Sequence, residues 1–146
     1  MKKKHIADHE YQSYYNLYLD RVEDETELFE ALNTSEELVH FFRSIPKDKH
    51  EFVYAAYKWT PKQILQHLID TERIFATRAL RIAREDKTEL PGYDENQYAE
   101  HCFSNQLDMN DLIEDYKALR SSTSIMFKNF DKSILKNIGK ASGGPI

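Results

Sequence analysis

Segment 59–70 carries the signals of a helix start in close register. Thr60 is a favoured N-cap residue, and Pro61 follows at the first helical position, where its missing N–H removes no intrahelical hydrogen bond. Gln63 has the spacing that closes a capping box with Thr60. These signals and the apolar periodicity that follows predict a helix from Pro61 to about Arg84.

Residues that interrupt helices are scarce in this chain of 146 residues. It contains four glycines and four prolines, and three of the glycines lie within the last eight residues. Both residue types disfavour a helix interior, so their scarcity between residues 10 and 138 favours an all-α fold.

The charge and cysteine content narrow the possible partners and the compartment. The net charge is −5, which disfavours sequence-independent binding of nucleic acid. We interpret the run from Lys2 to Lys4 as a solvated tail. The single cysteine, Cys102, excludes an intramolecular disulfide and fits a reducing compartment. No apolar run reaches the length of a membrane span and no signal peptide is apparent, so we expect a cytoplasmic protein.

Apolar spacing predicts two further long helices. The first should begin near Asp24 and end before Pro46. The last should begin at Asp108 or Asn110 and carry the cleanest apolar stripe of the chain, with Thr123 as its one polar member. A short helical turn should follow residue 131.

The long connection 85–107 and the end of the chain give weaker signals. The connection shows no clear periodicity, and we expect it to cover one end of a helical bundle and to shape a pocket. Gly143, Gly144 and Pro145 have the composition that precedes a new helix. Two of the apolar stripes look wide enough to need a fourth helix. We therefore expect either that the chain stops short of that helix or that a partner supplies the missing face.

On a helical wheel, three polar residues of helix 61–84 take different positions relative to the core-facing arc. Glu72 falls inside the core-facing arc, where a carboxylate must be paired or coordinated. A tyrosine or arginine of another helix could hydrogen-bond to Glu72, or Glu72 could have a role in chemistry. His67 lies about 60° beyond the edge of the arc, at a seam rather than in the core. Its imidazole could simply be satisfied there, or it could bind a metal. Asp70 points further away and should be solvated.

The remaining histidines form no evident site. His5 and His9 have the spacing of a helical ligand pair but lie in a lysine-rich start without apolar periodicity. His101 and Cys102 could bind metal or act as a base and a thiol, but no third partner is visible.

The sequence resembles the DinB-like (DinB/YfiT-type) superfamily of four-helix bundles. The residues that carry the resemblance are 57–61, 64–73, 78–84, 90–94, 119–120 and 143–145. It extends from about residue 8 to the end of the chain and implies one DinB-like helical domain over residues 1–146, without the last long helix of the family.

The resemblance also implies a metal site. The family holds a divalent metal, Zn, Ni or Fe, with three histidines. The first lies in a His-Leu-x-Asp pattern that matches His67 here. The other two lie four residues apart on the fourth helix and have no counterpart before Ile146.

Two hypotheses of different classes follow for the function. In the first, the chain is a metal-dependent enzyme that transfers a low-molecular-weight thiol or hydrolyses its substrate. His67 would be a metal ligand, and Glu72 or Asp70 would orient ligands or act as a base. In the second, it is a non-catalytic, dimeric, stress-related bundle in which His67 only packs. Under both hypotheses we expect a homodimer. A third hypothesis is an interaction module that presents a helix to a partner.

Overall fold

A computed structural model describes residues 1–33 and 35–146, except for the side chain of Leu28. The described residues are mainly helical, which confirms the predicted all-α class. The helices are α1 (Asn16–Leu19), α2 (Leu28–Ala31), α3 (Ser35–Ser44), α4 (Pro61–Ala83), α5 (Glu95–His101) and α6 (Met109–Lys128). Strands β1 (Lys140–Ala141) and β2 (Gly144–Pro145) pair antiparallel, and short 3-10 turns occupy several of the connections.

Helices α4 and α6 agree with the sequence analysis. Helix α4 begins at Pro61 and ends one residue before the predicted limit. Helix α6 begins at Met109, directly after Asp108, whose carboxylate accepts the N–H of Asn110 at 2.8 Å. The turn expected after residue 131 is the 3-10 turn Ile134–Lys136.

The predicted first long helix is wrong at its start. Residues 20–27 form turns and extended backbone, and the helical residues form two separate elements, α2 and α3. Asp24 does not cap a helix, because its carboxylate lies 3.1 Å from Lys3 Nζ and its carbonyl accepts the N–H of Lys4. Those contacts with the first residues of the chain replace the N-terminal turn that the sequence pattern suggested.

The same contacts correct the interpretation of the lysine run as a solvated tail. Lys2 and Lys4 both reach Glu25, at 2.9 and 2.6 Å. Lys2 also forms a β-bridge with Glu27. The three lysines are therefore held by ion pairs to Asp24 and Glu25, although such pairs at the surface each stabilise only weakly.

One compact unit comprises residues 35–75 and 93–123 and contains the first part of α4. Its core joins α3, α4 and α6. Eight buried residues form it: Val39, Phe42, Leu65, Ile69, Met109, Leu112, Ile113 and Tyr116. They include four members of the stripe predicted for α6, and Thr123 is buried as its polar member.

A second compact unit comprises residues 1–33, 76–92 and 124–146. Its β1–β2 hairpin turns through Ser142 and Gly143, whose φ angles of 54° and 82° fit a tight two-residue hairpin turn. Leu90 exchanges backbone hydrogen bonds with Lys140 and Ser142, at 2.9 and 3.0 Å. The glycine-rich residues before Ile146 therefore form a hairpin. A helix after this hairpin stays a prediction, as does a single domain over the whole chain.

The connection 85–107 contains structure that the sequence analysis missed. Asp94 caps α5 by accepting the N–H groups of Asn96 and Gln97 at 2.9 and 3.1 Å. A 3-10 turn, Ser104–Gln106, follows. Within the described chain, no helix has both the length and the apolar character needed to cross a membrane.

Candidate functional site

The start of α4 is held by the capping box that its sequence predicts. Gln63 Oε1 accepts the N–H of Thr60 at 2.9 Å, and Thr60 Oγ1 accepts the N–H of Gln63 at 3.1 Å. Both side chains also reach the segment after α4. Thr60 Oγ1 donates to Asn105 Oδ1 at 2.8 Å, and the Gln63 amide donates to the carbonyl of Ala99 at 2.9 Å. These bonds position the first turns of α4, and with them His67, against α5 and the turn after it.

His67 lies at a seam, as the helical wheel predicts. The ring is partly buried, and its centroid is 4.8 Å from that of Trp59. Its two nitrogens have no hydrogen-bond partner among the residues that the structure describes. Burial lowers the pKa of His67 from its ordinary value, and the nearby carboxylates of Glu95 and Asp70 oppose that shift. The imidazole is therefore held neutral near pH 7, which is the form that binds metal ions.

This burial predicts a pH dependence of stability. The folded state binds a proton at His67 less readily than the unfolded state, in which the pKa is about 6.5. The free energy of unfolding should therefore rise with pH between the lowered folded-state pKa and about 6.5, and this contribution should be lost as the pH falls through that window. Urea denaturation at a series of pH values measures the slope.

The His67→Gln variant should flatten this slope because glutamine does not titrate. The matched control, His40→Gln, removes an exposed histidine from α3 and should keep the wild-type slope. An unchanged slope in His67→Gln would contradict the prediction.

Glu72 has the partner that its place in the core-facing arc requires. Its Oε2 lies 2.7 Å from Arg120 Nη2, and only 9% of the Glu72 side chain is exposed. The Arg120 guanidinium in turn lies 5.5 Å from the ring centroid of Tyr116. The structure thus confirms that an arginine of another helix pairs with Glu72, and a catalytic role for Glu72 stays a prediction.

Asp70 is less exposed than the wheel predicts. Its Oδ1 accepts the Gln66 amide at 2.9 Å, and 23% of its side chain is exposed. Helix α5, which the sequence did not reveal, contributes residues beside Asp70 on this side of α4. Asp70 lines a cavity of about 370 Å³ together with four residues of the connection after α4: Gln97, Tyr98, His101 and Cys102. The expectation that this connection shapes a pocket agrees with that cavity.

The other candidate residues identified from the sequence are mostly apart. His5 and His9 are exposed and belong to two separate 3-10 turns. His101 Nδ1 lies 2.9 Å from the carbonyl of Gln97. The Cys102 thiol donates to the carbonyl of Ala99 at 3.2 Å. His101 and Cys102 therefore both line the cavity. The His101 Nδ1 and the Cys102 thiol, however, each form a hydrogen bond to a nearby backbone carbonyl.

The described residues do not assemble a metal site by themselves. No group of three His, Cys, Asp or Glu residues among them has an arrangement that could hold a metal ion. A catalytic zinc site usually needs about three protein ligands. His67 is chemically suited to be one ligand, and the described part of the chain does not bring two more beside it.

Comparison with known families agrees with this arrangement of helices. A family model described as the DinB superfamily matches residues 30–144. The chain belongs to the DinB superfamily. The match confirms the family inferred from the motifs on α4 and on the segments that follow it.

A solved structure shows the same fold. This DinB-superfamily chain is similar to YfiT from Bacillus subtilis, described as a probable metal-dependent hydrolase with an unusual four-helix bundle topology. The two are 16% identical with a TM-score of 0.63, over 76% of this chain and 64% of that one. This chain therefore spans less than two thirds of the length of YfiT. No curated protein matches it significantly.

Proposed function

We propose that this DinB-superfamily protein is a metal-dependent enzyme in which His67 supplies one ligand of a divalent metal. The reaction class is hydrolysis, or transfer of a low-molecular-weight thiol, and the proposed site of action is the cytoplasm. The observation that carries the proposal is the His67 imidazole, partly buried and held neutral, with no hydrogen bond to either nitrogen from the described residues.

Membership of the DinB superfamily and the likeness to a probable metal-dependent hydrolase support the proposal. One condition limits what His67 can do alone. A single imidazole binds a divalent ion weakly, so the remaining ligands must come from outside the described residues. Zn, Ni and Fe are the candidate metals because all three accept imidazole ligands.

Metal content tests the proposal directly. Full-length protein, purified without chelator, should carry Zn, Ni or Fe in stoichiometric amount, and the His67→Ala variant should lose it. The His40→Ala variant, which removes an exposed histidine from α3, should retain the metal. No bound metal in either the wild type or His67→Ala would overturn the proposal.

Trp59 provides a second, spectroscopic measurement. It is the single tryptophan of the chain, and its ring lies 4.8 Å from that of His67. A paramagnetic ion such as Co²⁺ bound to His67 should therefore quench its fluorescence in a saturable manner. The same titration of His67→Ala should show no saturable quenching.

The Trp59 contact also favours a second candidate function. In it, the protein is a non-catalytic homodimeric bundle, and the His67 ring is a packing partner of Trp59. Under this reading, His67→Ala lowers the melting temperature modestly and leaves the metal content unchanged. Sedimentation equilibrium of the same samples would measure the proposed dimer.

A further inference from the structure

The cavity beside α5 has a wall rich in hydrogen-bond acceptors. Asp70 contributes a carboxylate, Gln97 an amide oxygen and Tyr98 a phenol oxygen and an aromatic face. His101 lies 2.9 Å, through Nδ1, from the backbone carbonyl of Gln97. A carbonyl only accepts, so Nδ1 must carry the proton. In the neutral ring, Nε2 is then the acceptor.

Among the described residues, Asp70 has one cationic partner within 4 Å. That partner is Arg73, whose Nη1 lies 3.9 Å from Asp70 Oδ1. The same guanidinium places Nη2 only 2.6 Å from Asp115 Oδ1, which is the closer of the two ion pairs. The Gln66 amide that donates to Asp70 is neutral. A cation bound at Asp70 would therefore meet a carboxylate whose ion pair with Arg73 is long, at 3.9 Å.

The segment that forms the other wall adds charge of the same sign. Residues 93–108 contain four acidic residues, Asp94, Glu95, Glu100 and Asp108, and no lysine or arginine. Glu95 and Asp70 are also the two carboxylates that act on His67. This segment thus adds only negative formal charge near the cavity, which favours cations over anions.

Tyr98 gives the cavity an aromatic face. Its ring packs against that of Tyr93, with centroids 5.1 Å apart and planes inclined by 54°, while 43% of Tyr98 remains exposed. A cation over an accessible tyrosine ring is attracted by the ring quadrupole. Asp70 and Tyr98 thus give one cavity a carboxylate and an aromatic ring, the two groups that recognise an ammonium ion.

We propose that this cavity binds a small primary amine in its protonated form, with the ammonium group at Asp70 and the organic part against Tyr98. About 370 Å³ is enough for a small molecule of this kind. The inference rests on the proposed function to the extent that the amine belongs to the substrate. It assigns a substrate class, an amine-bearing molecule, and not a reaction.

Binding of benzylamine to the metal-free, full-length protein tests this inference. Titration at pH 7.5 in the presence of a chelator, followed by amide chemical shifts in NMR, should give saturable shifts in α5 and around Asp70. Benzyl alcohol, which is neutral and of similar shape, should bind about tenfold more weakly because it lacks the charge-assisted hydrogen bond. Equal affinity for the two probes, or shifts scattered away from the cavity, would overturn the proposal.

Two variants and one control locate the site. The Asp70→Asn variant should weaken benzylamine binding about tenfold and leave benzyl alcohol binding unchanged. The Tyr98→Ala variant should weaken the binding of both probes. The Asp111→Asn control changes an exposed aspartate on α6 and should bind as the wild type does. If Asp70→Asn bound benzylamine like the wild type, the proposal would be wrong.

Because metal is removed in this titration, its outcome is independent of whether His67 binds an ion. Loss of the proposed metal site would leave amine binding intact. Failure of amine binding would leave the metal measurement intact. Circular dichroism of each variant, compared with the wild type, verifies that the fold is retained.

Discussion

Replacing Arg120 with methionine is expected to lower the free energy of unfolding by about 3 kcal/mol. The change leaves the Glu72 carboxylate, of which 9% is exposed, without the guanidinium that lies 2.7 Å away. An uncompensated charge in such a place costs far more than the pair itself contributes. Urea denaturation at pH 7 measures the change.

A double variant and an exposed pair provide the controls. Glu72→Met combined with Arg120→Met should recover most of the loss, because two apolar groups replace the whole buried pair. Arg43→Met removes one member of the exposed pair with Glu114, at 3.4 Å, and should cost far less than Arg120→Met. Equal losses from Arg120→Met and Arg43→Met would show that Glu72 does not depend on Arg120.

Replacing Leu65 with alanine is expected to destabilise the protein by a similar amount, about 3 kcal/mol. Leu65 is fully buried in the core that joins α3, α4 and α6, so the shorter side chain leaves a cavity. It also lies two residues before His67, so loosening of this turn should shift the emission of Trp59 toward that of a more exposed indole.

The matched control makes the same change at an exposed position of the same helix. Leu80 is 40% exposed, and Leu80→Ala should cost less than about 1 kcal/mol. A loss in Leu65→Ala no larger than in Leu80→Ala would contradict the burial of Leu65. Thermal unfolding followed by circular dichroism compares the two.

The prediction of α4 succeeded because its signals are local. A capping box requires contacts only between residues three apart, and the wheel requires only the helical repeat. Thr60 and Gln63 therefore make the predicted bonds, and Glu72 has an arginine partner of the predicted kind. The apolar stripe of α6 can be predicted from the sequence for the same reason.

The prediction failed for elements whose shape depends on distant residues. Asp24 looked like a helix cap, but Lys3 pairs with it from 21 positions earlier. Helix α5 has seven residues and too little periodicity to stand out, and its one local signal is the Asp94 cap after Pro91 and Gly92. Without α5, the helical wheel predicts Asp70 in solvent, whereas in the structure Asp70 lines a cavity.

The amino-acid order alone determined the helical class, the limits of α4, the family and the choice of His67, since each depends on local spacing or on a contiguous motif. The tertiary structure decided which groups meet: Arg120 with Glu72, Trp59 with His67, and α5 with Asp70. These contacts depend on how separate segments pack against one another. The periodicity within one segment does not specify which side chain of another segment will contact it.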